Sequence, residues 1–284
     1  MRTWDVEIIA ATPPFRSGEV DISTRRFGGL TKTLGFMRTG GEIRRNCSRI
    51  ETTARRVDAR AEGTLGQQIY QQLEGKILLG EWLPNDKITL RTLALSLNTS
   101  MQPVREAVGR LVAASALEAA PNRAFRVPEL NREAADEIWS LRLLLEGEAA
   151  ARFAARKDPS ACRRLAEATD ACRAIDFGRD LRATMGAITA WNASIVQAAG
   201  SQLLYDDIMR LYLRYAPFLA HALGMPVPHD EEFLSFILHI QDELRLAIQA
   251  GDAAAARYLR CADLRSFQRY LYQRIGWSSP SSIA

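Results

Sequence analysis

Six successive segments between residues 131 and 277 place apolar residues at the i, i+3, i+4 spacing of one helix face. Each segment ends near a glycine, a proline or a polar cluster, where helices commonly stop. A strand pattern would instead alternate with a period of two. None of the segments contains the run of about 18 apolar residues that a membrane-spanning helix needs. The sequence therefore predicts an all-α helical bundle over residues 130–278 and no membrane partner.

The chain has 284 residues, which exceeds a usual single domain of about 100 to 200 residues. We therefore expect a tail over residues 1–62, a first folded unit over 63–129 and the bundle over 130–278. The four cysteines are well separated and form no C-x-x-C pair, and no apolar leader follows the N-terminal charges. These features predict reduced thiols in a cytoplasmic protein.

Residues 1–62 mix Gly, Pro, Ser, Thr and Arg, as in "TPPFRSGEVDISTRRFGG", without a sustained period. The net charge of +4 arises in this segment, because basic and acidic residues cancel in the rest of the chain. The pattern predicts a disordered basic tail. Two interpretations remain open: an arm that touches phosphates, or the translation product of an upstream start codon.

Residues 63–129 carry two helical patterns followed by a third. In the first, Leu65, Ile69, Leu73 and Ile77 share one face, and Gly80 suits a left-handed C-cap. In the second, "ITLRTLALSLN", apolar residues recur on one face until Asn98-Thr99 breaks the helix. The two patterns predict a first helix and a short second helix before a third.

The third helix is predicted to begin at Ser100, whose hydroxyl can accept a hydrogen bond from a free amide of the first turn. Pro103 lies early enough in the helix that its missing N–H costs little. After Leu117, a turn at Pro121-Asn122 separates two short extended segments, which predict a β-hairpin. Three helices followed by a hairpin form a winged helix-turn-helix. The predicted fold class is thus mainly α, with a winged helix-turn-helix before the bundle.

Polar side chains crowd the first turn of the third helix. A helix in the major groove needs such side chains near its N-terminus, and Ser100, Gln102 and Arg105 supply them. The alternative is a solvated helix end with a surface pair between Glu106 and Arg110.

The stretch "GEWLPNDKITLRTLALSLNTSMQPVREAVGRLVAASALEAAPNRAFRV" resembles the DNA-binding domain of GntR-family transcriptional regulators. The resemblance covers roughly 65 residues, including the L-A-x-x-L and P-V-R-E-A motifs. It implies binding to double-stranded DNA. The implied contacts fall on residues of the second helix, the third helix and the wing: Arg91, Ser100, Gln102, Arg105, Asn122 and Arg123.

Three residues depart from the family pattern. Asn85 stands where the leader usually has Gly, Met101 where the signature usually has a DNA-contacting Arg, and Ala116 where a Gly usually precedes the wing. Loss of an arginine contact typically costs about 1 to 3 kcal/mol and changes the preference at that base position. The Met101 departure therefore predicts an altered operator.

The bundle segments resemble the all-helical FCD effector domain of the FadR-like branch, as in "SLRLLLEGEAAARFA" and "WNASIVQAAGSQLL". Many relatives hold a divalent metal there through one Asp and three His. The matching positions here are Ile188, Asn192, Gln241 and Asp263, which cannot replace those ligands. We therefore predict no metal and no cofactor.

The remaining polar positions can be interpreted in two ways. Asn192, Gln241 and Asp263, with Arg142 as a carboxylate fork, could bind an organic ligand inside the bundle. Alternatively, these side chains satisfy one another in the core. The resemblance implies an effector that is a small, carboxylated metabolite, while the lost metal ligands leave an acyl or aromatic ligand, or none, open.

The leading hypothesis is a ligand-responsive transcription regulator that binds an inverted repeat as a homodimer and is not an enzyme. A second hypothesis is a metal-dependent hydrolase that uses His221, His229, Asp230 and Glu231. No nucleophile with a base and an orienting group is visible in the sequence. A third hypothesis is a helical scaffold that no longer reads DNA.

Overall fold

A computed structural model describes residues 64–278, which form nine helices and three short strands. Residues 1–62, for which a disordered basic tail is predicted, lie outside the described residues. The first part contains α1 (Leu65–Leu78), β1 (Lys87–Thr89), α2 (Leu90–Ser96), α3 (Met101–Ala113), β2 (Glu118–Ala120) and β3 (Ala124–Arg126). The second part contains α4 (Arg132–Arg156), α5 (Pro159–Arg173), α6 (Leu181–Ala198), α7 (Gln202–Leu223), α8 (Glu231–Ala250) and α9 (Ala253–Arg274).

The predicted fold class is confirmed: three helices with a small sheet precede a part that consists of helices alone. Each of α4 to α9 begins at a residue whose side chain accepts a hydrogen bond from an amide of the first turn, which fixes where the helix starts. These capping residues are Asn131, Asp158, Asp180, Ser201, Asp230 and Asp252. No helix within residues 64–278 is long and apolar enough to cross a membrane.

The predicted hairpin belongs to a three-stranded antiparallel sheet with strand order β1-β3-β2. Phe125 of β3 lies opposite Ile88 on one side and Ala119 on the other. The sequence did not predict β1, because three residues are too few to show an alternating pattern. Its pairing depends on β3, which lies far along the chain. Strand β1 ends at Thr89, whose hydroxyl caps α2.

One hydrophobic core runs through both parts of the described chain. Ile69, Leu73 and Ile77 of α1 and Leu111 of α3 belong to the same buried cluster as Trp139 of α4. A second cluster lies elsewhere in the bundle and contains Phe153, Leu165, Trp191, Leu244 and Ile248, among others. Helix α1 packs on α3 and also on α7. The three-helix part is therefore joined to the bundle by shared buried side chains.

The end of α1 lies very close to α7. Gly80 has a φ of +71°, in the left-handed region that the sequence predicted for this C-cap. A Cβ at Gly80 would lie 2.8 Å from the Cβ of Ala220 on α7. Glycine is therefore required here both by its backbone angle and by the close approach of the two helices.

Candidate DNA-binding surface and bundle interior

Helix α3 has one buried and one exposed side. Val104, Ala107, Val108 and Leu111 are fully buried against the core, as the apolar stripe predicts. All the predicted DNA-contacting side chains on α2, α3 and the wing are exposed: Arg91, Ser100, Gln102, Arg105, Asn122 and Arg123. The buried stripe thus fixes the orientation of α3 and leaves its polar N-terminal turn facing outward.

The hydroxyl of Ser100 does not cap α3, although Ser100 is the N-cap residue with extended backbone angles. The sequence predicted a hydrogen bond from this hydroxyl to the first turn, and that detail is wrong. Because no amide of the first turn occupies the side chain, the hydroxyl remains available to a partner outside the helix.

The surface pair between Glu106 and Arg110 is not formed. Gln102 Nε2 instead donates to Glu106 Oε1 at 3.1 Å. Arg110 Nη1 donates to Gln67 Oε1 of α1 at 2.6 Å, and its guanidinium lies over the ring of Tyr70 at 3.7 Å from the centroid. Arg110 is thus used to hold α1 and α3 together, which separates its role from that of Arg105.

Three arginines at this surface form no ion pair within residues 64–278: Arg91, Arg105 and Arg123. Arg126 differs, because its Nε donates to Glu118 Oε1 at 2.7 Å across the wing and its Nη2 contacts the same oxygen. A carboxylate neutralises Arg126, whereas the other three guanidiniums present their charge to solvent. Guanidinium groups of this kind bind phosphates or guanine edges.

The wing tip is a tight turn in which Ala124 N donates to Pro121 O at 3.4 Å. Asn122 and Arg123 both have positive φ angles, 62° and 57°. Two consecutive left-handed residues fit the twist of a hairpin, and Asn tolerates this conformation well. The turn places Arg123 at the end of the wing.

Two of the departures from the family pattern have structural explanations. Asn85 has a φ of 72°, and after glycine, asparagine is among the residues that best tolerate this angle. Ala116 is buried and does not need to be glycine, because its φ is not positive. The positive φ of 55° belongs to the preceding Ser115. The third departure, Met101, lies on the exposed face of α3 with 44% of its surface accessible.

Glu74 is a buried carboxylate where α1 meets α3 and α7. Its Oε1 accepts a hydrogen bond from Tyr70 Oη at 3.2 Å, and only 7% of its surface is accessible. Burial raises the pKa of Glu74 to about 7, although Tyr70 and Arg110 act in the opposite direction. Burial and the charge of Glu74 together raise the pKa of Tyr205 on α7 to about 12. Glu74 thus interacts with both the three-helix part and the bundle.

The bundle interior contains a buried charged network built on four helices. Arg142 Nε donates to Glu146 Oε1 at 2.6 Å on α4, and Tyr212 Oη of α7 donates to Glu146 Oε2 at 2.7 Å. Arg260 of α9 contacts Glu146, Asp263 and Asn192, the last of which lies on α6. This cluster joins α4, α6, α7 and α9, and we call it the arginine network.

The acids of the arginine network have opposite pKa shifts. Burial alone would raise the pKa of Glu146, but Arg142 and Arg260 outweigh it and hold this pKa below its usual value. Burial raises the pKa of Asp263 to about 6; Arg260 lowers it in part, and Glu146 adds to the rise. Above about pH 6 two guanidiniums therefore balance two carboxylates.

The structure joins three of the four predicted ligand-binding residues through the arginine network: Arg142, Asn192 and Asp263. Arg142 is not an open fork, because Glu146 occupies its Nε and the guanidinium carbon lies 4.5 Å from the ring centroid of Trp139. Gln241 stands outside these contacts, and its Oε1 is buried without a hydrogen-bond partner in the described residues. Asn192 and Asp263 thus satisfy Arg260, which agrees with the interpretation that these groups pair in the core.

Sequence reasoning missed Glu146, Arg260 and Tyr212, the residues that hold the arginine network together. A signal for two of them exists in the sequence. Glu146 follows Arg142 by four residues and Arg260 precedes Asp263 by three, which are the spacings of neighbours on a helix face. Both pairs lie on helix faces that also carry apolar residues, where charged residues are buried only if paired.

The histidine region contains no grouped metal ligands. His229 Nδ1 and Tyr270 Oη lie 2.7 Å apart, and Asp230 caps α8 by accepting from Phe233 N. Burial and then Arg274 lower the pKa of His229. Within residues 64–278, no three His, Cys, Asp or Glu side chains are positioned to hold a metal ion. Nothing in this geometry supports the hydrolase hypothesis.

Two surface pockets lie away from the arginine network. One, of about 140 Å³, lies between α8 and α9. The other lies in the connection between α5 and α6, around Asp176 and Arg179. Neither is lined by Arg142, Asn192, Gln241 or Asp263.

Comparison with known protein families explains the two parts of the fold. Residues 65–127 match the family model described as bacterial regulatory proteins, gntR family, and residues 137–265 match the FCD domain. The chain belongs to the GntR family. It is a transcriptional regulator of this family with an FCD domain.

Individual GntR-family relatives agree with this assignment. The chain is 27% identical over 214 residues to the HTH-type transcriptional regulator McbR of Escherichia coli strain K12, an alignment that covers 74% of this chain and 94% of McbR. A Bacillus subtilis strain 168 protein, the uncharacterized HTH-type transcriptional regulator YdhC, is 34% identical over 79 residues, which cover 28% of this chain and 35% of YdhC.

Solved structures show the same GntR-family fold. The structure of E. coli McbR/YncC aligns with a TM-score of 0.69 and 26% identity, and the alignment covers 75% of this chain and 99% of that one. The crystal structure of a putative transcriptional regulator GntR from Rhodococcus sp. RHA1 aligns with a TM-score of 0.58 and 22% identity, over 74% of this chain and 97% of that one. The second similarity supports the fold alone.

Proposed function

We propose that this regulator binds an inverted-repeat operator as a homodimer and responds to a small carboxylated metabolite. We also propose residues 63–129 as the DNA-binding domain and 130–278 as the effector-binding and dimerisation domain. The protein is proposed to work in the cytoplasm and to have no catalytic role.

The observation that carries the proposal is the exposed N-terminal turn of α3. Ser100, Gln102 and Arg105 point outward there, and the hydroxyl of Ser100 makes no capping bond. A recognition helix uses its N-terminal residues for base edges, while nearby cations contact phosphates. Arg91 on α2 and Arg123 on the wing flank α3 in the chain and carry no ion pair within residues 64–278. This arrangement supports a helix that reads the major groove and a wing that touches the backbone.

The small number of base pairs that one recognition helix reads supports the proposal of a homodimer. One recognition helix contacts only a few base pairs, so two half-sites about one helical turn apart give the specificity that a regulator needs. A two-fold symmetric protein then selects a palindromic operator.

The arginine network is the proposed effector site. Arg142 and Arg260 are buried guanidiniums, the donors that best recognise a carboxylate. A ligand carboxylate can replace Asp263 as a partner of Arg260, because the raised pKa of Asp263 lets this acid take up a proton when it is displaced. Arg260 Nε and Gln241 Oε1 have no hydrogen-bond partner within the described residues and could serve the ligand. Loss of the contacts from Arg260 to Glu146 and Asn192 would loosen α9 from α4 and α6.

Fluorescence anisotropy with a duplex of the protein's own promoter region, at two salt concentrations and against an unrelated competitor, tests the DNA proposal. We expect specific binding that survives competition and weakens at higher salt. Arg105→Ala should abolish specific binding while the far-ultraviolet helical signal stays unchanged. Arg163→Ala removes an equal charge from an exposed position on α5 and serves as the matched control. Equal loss with both variants would mean that net charge, not α3, governs binding.

The effector proposal is tested by thermal-shift screening of carboxylated metabolites against the wild type and Asp263→Asn. Asparagine imitates the protonated acid, so a carboxylate that displaces Asp263 should bind the variant at least as tightly as the wild type. Weaker binding to Asp263→Asn would contradict displacement. A true effector must also change the affinity of the protein for DNA. Bound DNA must then change the affinity for the effector by the same factor.

A further inference from the structure

Met101 presents an apolar surface at the N-terminal end of α3. Met101 is the first residue of α3, and 44% of its surface is accessible. Met101 precedes the buried Val104 by three residues and therefore lies at the edge of the buried stripe, with part of its surface covered and part open to solvent. Its neighbours in the chain, Ser100 and Gln102, are polar and exposed. The accessible part of Met101 offers an apolar surface to whatever binds the first turn of α3.

Met101 lies on the same face as Arg105. Residues four apart on a helix are neighbours, and both of these side chains are exposed. If Arg105 reaches a base edge or a phosphate, Met101 lies one turn closer to the helix N-terminus and enters the groove with it. Gln102, by contrast, donates to Glu106 within the helix. Met101 is therefore the apolar side chain best placed on α3 to meet a base.

We propose that Met101 is a specificity residue that reads the 5-methyl group of a thymine in the major groove. This inference rests on the proposed DNA-binding function and names one base of the operator by its chemistry. In the major groove, thymine alone among the four bases presents a methyl group, and apolar side chains recognise it by contact. A flexible, polarizable methionine adapts to such a surface. Cytosine lacks this methyl group and presents an amino donor, with which a thioether sulfur makes only a weak hydrogen bond. Met101 should therefore favour thymine over cytosine.

The test first selects a binding site for the full-length protein from a random duplex library. Each thymine of the selected site is then replaced in turn by uracil, which removes only the methyl group. At one thymine in each half-site we expect affinity to fall by about three- to tenfold, consistent with the burial of one methyl group. In Met101→Ala that penalty should vanish, and in Met101→Leu it should persist.

Leu95→Ala is the matched control, because Leu95 is also a large exposed apolar residue, 73% accessible, but lies on α2. In a helix-turn-helix the helix before the recognition helix crosses the DNA backbone and does not reach the bases. Leu95→Ala should therefore lose affinity on uracil substitution as the wild type does. Circular dichroism of each variant checks that the fold is retained.

The outcomes separate the two proposals. If the wild type enriches no sequence, the DNA-binding function fails and the thymine inference fails with it. If a site is enriched but the wild type and Met101→Ala respond equally to uracil at every position, the thymine inference alone is overturned. A penalty at one position that disappears only in Met101→Ala supports it.

Discussion

Replacing Glu74 with glutamine should stabilise the protein at pH 8 far more than at pH 5. Glu74 is buried where α1 meets α3 and α7, and it forms no ion pair within the described residues. Glutamine keeps the shape of the side chain and an oxygen that can accept from Tyr70 Oη. The substitution therefore removes mainly the charge.

The magnitude follows from the pKa of Glu74. Burial raises this pKa from 4.5 to about 7, so the folded chain holds the proton more tightly than the unfolded chain. The stabilisation from the protonated acid is complete below pH 4.5 and is lost as the pH rises through about 7. Relative to the fully protonated acid, ionisation of Glu74 lowers the free energy of unfolding of the wild type by about 3 kcal/mol at pH 8 and by about 1 kcal/mol at pH 5. Glu74→Gln should show the corresponding gain at each pH.

Urea unfolding of the wild type and Glu74→Gln at pH 5 and pH 8 measures this difference, because other titrating groups are common to both proteins. Glu106→Gln is the control, since this carboxylate is exposed in the same domain. Its effect should be within about 0.5 kcal/mol at either pH. An equal effect of Glu74→Gln at both pH values would refute the reasoning and mean that a cation such as Arg110 neutralises Glu74 in solution.

Three further predictions concern stability and reactivity. Arg260→Met leaves Glu146 buried without one of its cations and should lower the free energy of unfolding by about 3 to 5 kcal/mol; adding Glu146→Gln should restore part of it, and no recovery would refute the pairing. Gly80→Ala should destabilise the protein by about 1 to 3 kcal/mol, because of its positive φ and the nearby α7. Gly109→Ala, at an exposed helix position with open space, should instead stabilise by roughly 0.5 to 1 kcal/mol; thermal unfolding compares the two. Burial raises the pKa of the Cys172 thiol to about 12, so in peptide mass spectrometry it should be the last of the described cysteines that iodoacetamide labels.

Local periodicity was sufficient to predict the helices and the wing. The i, i+3, i+4 patterns and the capping residues are short-range signals, and the observed segments of α4 to α9 follow them closely. Strand β1 was missed because it exists only through its pairing with β3, a contact between distant residues. The expected capping bond of Ser100 was wrong because the hydroxyl can adopt other rotamers at little cost.

The site was less predictable than the fold. The exposed arginines of α2, α3 and the wing follow from the helix pattern and the family resemblance. The arginine network does not, since Glu146 and Arg260 meet only when α4 and α9 pack together. The burial of Glu74 was likewise not predicted, because the packing of α1 against α7 is a contact between segments that lie far apart in the sequence.

The close contact between Gly80 and Ala220 has a consequence for the design of chimeric regulators. Fusing the three-helix part to the effector domain of another protein, at the loop before α4, would separate α1 from α7, the helix on which it packs. A bulkier residue at the position of Ala220 in the recipient would collide with the end of α1. A successful chimera should therefore keep a small residue at the position of Ala220, or carry further substitutions on both helices that relieve the clash.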